Sequence, residues 1–124
     1  MKLEYIADGS QECPLIRLYS FDESELRRLR EVVEALSKKT VQSAFLYEQP
    51  GIEPIDSCEL TLRSGARDLG VLKTGPAKFE CVLTPDTWEW VKELIDPFFE
   101  SSGGYQWLSE QGKISLLLSK SGSW

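Results

Sequence analysis

The sequence predicts an α+β fold: one mainly antiparallel, twisted sheet of six to eight strands, with two helices, at about 22–38 and 85–99, packed on one face. Three observations predict it. Two segments repeat apolar residues every three to four positions, as helices with one buried face do. Around them lie short runs of alternating or β-forming residues, each bounded by glycine, proline or other turn chemistry. The 124 residues suit a single domain over 1–124, which buries roughly two-thirds of its unfolded surface without metal or disulfide support.

Residues 2–7 can form a first strand, ended by the turn residues Asp8, Gly9 and Ser10, and 14–19 a second. The first helix opens at Asp22, which has capping-box spacing to Glu25, with Phe21 and Leu26 placed as a hydrophobic staple. Leu26, Leu29, Val33 and Leu36 make its apolar stripe, and opposite charges four residues apart make a solvated face. Residues 41–48 are rich in β-formers and end at a turn, Gln49-Pro50-Gly51; a loop with Pro54 follows. Strands are expected at 58–63, 69–73 and 79–83, the first and last alternating apolar with polar residues.

Thr84 caps the second helix, Pro85 fits its first position and Asp86 favours its positive end. Trp88, Val91, Ile95 and Phe98 share one arc, whereas Trp90 lies about 200° round from Trp88. Pro97 should stop or kink the helix and leave Phe98-Phe99 in a separate turn. A hairpin of 105–108 and 114–119 closes the chain. At an offset of 62 positions the helix stripes of the two halves coincide, so each half reads strand, helix, strand, strand, preceded by an extra strand.

Composition removes more functions than any motif adds. The chain has no histidine and no asparagine, hence no histidine base, no histidine metal ligand and no serine–histidine or cysteine–histidine dyad. Fourteen basic against 20 acidic residues give a net charge of −6, which opposes binding to nucleic acid or an anionic membrane and steers basic partners inwards. Cys13, Cys58 and Cys81 cannot all pair and form no Cys-x-x-Cys, so reduced thiols and a cytoplasmic location are expected. No secretory leader or stretch of ~20 apolar residues is visible.

Gly65 to Gly70 has phosphate-loop glycine spacing, but Val71-Leu72 separate it from Lys73-Thr74 and the context is a strand, so turn glycines are the better reading. With no nucleophile motif and no metal-ligand cluster, the chain is expected to be a non-enzyme without catalytic residues, metal or cofactor. Two readings remain. In the first, a non-catalytic interaction module of an adaptor or immunity-like kind holds a basic protein partner on Trp90 and Leu94. In the alternative, an open aromatic sheet face binds a small apolar ligand through Tyr47, Tyr105 and Trp107, with Glu48 or Glu110 as the carboxylate. The order of elements resembles that of small-molecule-binding domains built from two strand-helix-strand-strand modules, which implies a concave sheet face with an acidic residue. A monomer or a symmetric dimer is compatible with either.

Overall fold

The computed structural model describes residues 1–100 and 103–124. Among these residues the α+β fold has two helices, α1 (Glu23–Ser37) and α2 (Pro85–Ile95), and nine strands: β1 (Lys2–Ile6), β2 (Leu15–Tyr19), β3 (Ser43–Phe45), β4 (Glu53–Pro54), β5 (Glu59–Ser64), β6 (Gly70–Gly75), β7 (Lys78–Leu83), β8 (Tyr105–Ser109) and β9 (Ser115–Ser119). The helices begin where local chemistry says they should. Asp22 and Glu25 close a reciprocal capping box, and the Thr84 side chain accepts from the Thr87 amide. At Pro97 the α-helix gives way to a 3-10 turn, Asp96–Phe99.

The expected single sheet is instead two mixed sheets, of order β4-β1-β2-β9-β8 and β3-β5-β7-β6. Four pairings are antiparallel and three, β1–β4, β2–β9 and β5–β7, are parallel, so each sheet is mixed. The reason lies in the connections. Each helix carries the chain from one sheet to the other, so both sheets combine strands from the two halves, and strands remote in sequence such as β2 and β9 come to lie side by side in parallel. The stretch 41–48 yields only the short β3, followed by a 3-10 turn at Leu46–Glu48, and β4 forms where a loop was expected.

Setting β4 aside, β1-β2-β9-β8 and β6-β7-β5-β3 are the same arrangement, with the halves of the chain exchanged. Each half contributes a hairpin to one sheet, then a helix, then two strands of the other. The sheets meet where β6 bridges from Val71 to Ile114, just ahead of β9.

One core lies between the inner faces of both sheets and the two helices. It contains Leu3, Ile16 and Leu18 from one sheet, Leu60, Leu62 and Phe79 from the other, and the apolar stripes of both helices. Tyr5 of β1 stacks on Phe79 of β7 across it, ring centroids 4.6 Å apart. The end of β5 holds both helices: the Arg63 carbonyl accepts from Trp88 Nε1 at 3.0 Å, and Ser64 Oγ donates to the Leu36 carbonyl at 2.8 Å. The outer face of the five-stranded sheet is partly covered by the chain after β9. Arg17 donates to the Gly122 carbonyl at 2.7 Å and to Glu4, and stacks on Tyr19.

Candidate functional site

Helix α2 divides its two tryptophans by angle. Trp88 is fully buried, whereas Trp90 is 58 % exposed. The residues one turn away from Trp90 are Asp86, Thr87, Glu93 and Leu94. Asp86 and Glu93 are exposed; Leu94 is half-buried and packs against the edge of the core. The one basic residue of α2, Lys92, is mostly covered, with 14 % of its side chain exposed, and pairs with Glu89 at 3.0 Å. The indole of Trp90 therefore stands among carboxylates.

Leu94 leads directly to β8. Together with Pro97, Phe98, Gly104, Tyr105 and Gln106 it lines a recess of about 140 Å³. Alternation along β8 sends Leu108 into the core and leaves Tyr105 and Trp107 on the outer face. Tyr105 is 52 % exposed, Trp107 is half-buried, and their rings meet edge to face at 6.4 Å. Leu94 and Tyr105 thus line one recess, although the sequence assigned them to two different readings.

The other expected ligand residues lie elsewhere. Tyr47 and Glu48 sit in the 3-10 turn after β3, at the far edge of the other sheet. There the Tyr47 ring meets Phe45 at 6.0 Å, and burial together with Glu59 and Glu48 raises its phenol pKa. Glu110 is exposed at the opposite end of β8 from Tyr105, in the turn to β9. The set Tyr47, Glu48, Tyr105, Trp107 and Glu110 therefore forms no single pocket, because its members belong to edge elements of separate sheets.

A cleft of about 590 Å³ contains none of these residues; Lys39, Val41, Gln42, Ser64, Gly65 and Thr84 line it beside the start of α2. The start of that helix is already capped by side chains. Asp68 accepts from the Thr84 amide at 2.7 Å and from the Thr87 hydroxyl at 2.8 Å, which places a carboxylate where a bound phosphate would go. Although burial raises the Asp68 pKa, the hydrogen bonds from Thr84 and Thr87 outweigh it and hold the carboxyl below its ordinary 3.8. The Gly65 to Gly70 stretch thus turns the chain into β6 and ends in a cap. Sequence reasoning missed this role for Asp68, since the contact spans a turn, a strand and a hairpin.

The thiols are poor nucleophiles where they are buried. Burial pushes Cys58 up to about 11 and Cys81 up to about 12, and Cys13 is half-buried near Ser10. All three cysteines are free. Among the described residues no three His, Cys, Asp or Glu side chains are grouped to hold a metal ion, and no helix is long and apolar enough to cross a membrane.

No family model matches the chain, and comparison with curated proteins and with solved structures gives no significant match.

Proposed function

We propose that the protein is a non-catalytic interaction module that holds a basic protein partner on the surface of Trp90, Leu94 and Tyr105. The observation that carries the reading is the 58 % exposed Trp90 between Asp86 and Glu93, continuous through Leu94 with the recess at Tyr105. An arginine or lysine placed over the indole gains a cation–π contact within ~6 Å of the ring and the field of the flanking carboxylates. Exposed tryptophans in such settings act as binding hot spots. The net charge of −6 adds long-range steering of the same sign.

The size of the recess favours a protein side chain over a free ligand. At about 140 Å³ it is roughly half the ~300 Å³ at which small-molecule pockets begin. Three free thiols suit a reducing compartment, in keeping with a cytoplasmic setting.

Calorimetric titration with an array of peptides, each presenting two arginines or lysines among aliphatic residues, tests the proposal. Some members should bind at low salt and weaken as salt rises; Trp90→Ala and Glu93→Lys should each cost at least about tenfold, or ~1.4 kcal/mol. Failure of every basic peptide to bind, or binding that survives both substitutions, would overturn it.

A further inference from the structure

We infer that β8 is the contact edge of a symmetric homodimer, pairing antiparallel with β8 of a second copy of this chain. The inference goes beyond the proposed capture of a basic partner and rests on different atoms: the backbone of one edge strand.

The two sheets have four edge strands, β4, β8, β3 and β6. Natural edges are blunted by shortness, proline, charge or cover. β4 has two residues, one of them Pro54, and β3 has three. β6 carries Lys73 and is partly covered by its bridge from Val71 to Ile114. β8 alone is a five-residue edge, Tyr-Gln-Trp-Leu-Ser, with neither charge nor proline, and no described strand lies beyond it.

The ladder shows which backbone groups are on offer. Lys120 donates its amide to the Gly104 carbonyl, and Tyr105 stands opposite Ser119, so Tyr105–Ser119 is a non-hydrogen-bonded pair. Gln106 therefore bonds to Leu118, while the N–H and C=O groups of Tyr105 and Trp107 are directed away from β9. Trp107 C=O receives the Gln106 side-chain amide at 3.0 Å, and a carbonyl can accept a second bond. Two outward residues separated by one inward residue suit a two-fold axis opposite Gln106: Tyr105 of each copy exchanges bonds with Trp107 of the other, an isologous contact.

Charge selects the occupant. In a molecule of net charge −6, an uncharged strand can meet its own copy without apposing carboxylates, whereas a basic strand would find no carboxylate within β8 to pair with. The residual repulsion is long-range and screened by salt. Self-association should therefore strengthen with salt, opposite to the capture of a basic partner.

The wild-type chain should shift from monomer to dimer in sedimentation equilibrium between about 1 and 500 µM, a range suited to a small interface. The midpoint should move to lower concentration as sodium chloride is raised from 20 to about 300 mM. Amide exchange read by NMR is the decisive arm: Tyr105 and Trp107 should slow at least tenfold at high concentration, while Gln106 stays protected throughout. Tyr105→Lys, at an exposed site, should hold the chain monomeric with an unchanged circular dichroism spectrum; Leu72→Lys on β6 should leave the dimer intact. A monomer across the whole range overturns the inference. So does a dimer that survives Tyr105→Lys, or one that leaves the Tyr105 and Trp107 amides unprotected. Because Tyr105 also borders the proposed partner surface, capture of basic peptides is read through Trp90→Ala and Glu93→Lys, which leave β8 unchanged, so failure of either reading is distinguishable from failure of the other.

Discussion

Trp88 and Trp90 are two positions apart on α2, and the difference in their surroundings sets opposite expectations. Truncating Trp88 leaves a cavity and removes the indole hydrogen bond to the Arg63 carbonyl, so Trp88→Ala should cost about 3–5 kcal/mol in urea denaturation. Trp90→Ala, at an exposed site, should change stability by less than ~0.5 kcal/mol and act only on binding. The thiols divide in the same way. Titration of the native chain with a thiol reagent near pH 8 should modify Cys13 well before Cys58 and Cys81, whose burial raises their pKa values to about 11 and 12. Equal rates at all three would show that the core opens readily. The separation of Trp88 from Trp90 was legible in the sequence, because 3.6 residues per turn fixes the angle between them. The meeting of Leu94 with Tyr105 was not, since it depends on how a helix lies against a strand with residues of a loop between them.

At the scale of the element, the start of α2 is a polar assembly that also involves the loop before β6. Asp68 holds Thr84 and Thr87, and Thr84 Oγ1 in turn accepts from the Thr87 amide at 3.3 Å. Asp68→Ala should lower stability by about 1–3 kcal/mol, as it strips a partner from the Thr84 amide. The sign of its pH dependence follows from the depressed pKa. A carboxyl held below 3.8 on folding contributes its full stabilisation above the unfolded value and loses it as pH falls through the folded one. The stability gap between wild type and Asp68→Ala should thus be flat above about pH 5 and close on acidification below 3.8. A gap that widens in acid would contradict this account. The helix limits themselves were readable because caps act within three residues; the Asp22 box, the Thr84 cap and the Pro97 stop all stand where the sequence placed them. Residues 41–48 misled because β-propensity does not report whether a strand has a partner.

For the molecule as a whole, the joint between the sheets is the sensitive point. Gly70 has φ +74°, and a Cβ there would lie 2.0 Å from the Gln111 carbonyl oxygen. Gly70→Ala should therefore destabilise by at least ~2 kcal/mol, against about 1 kcal/mol for Gly9→Ala, where φ is also positive but nothing lies within 4 Å. Thermal unfolding of the two variants gives the comparison. The division into two sheets was not legible, because alternation along a strand is identical whether its neighbours belong to one sheet or two. Pairing Leu15 with Ser115, or Leu60 with Phe79, is a property of the assembled chain rather than of either segment. That arrangement also governs when the protein can form. β9 occupies an interior place between β2 and β8, so on the ribosome the five-stranded sheet stays open until β9 has emerged. On the side away from β1, β2 has no partner until then, and folding should be slow, in the millisecond-to-second range of chains dominated by remote contacts.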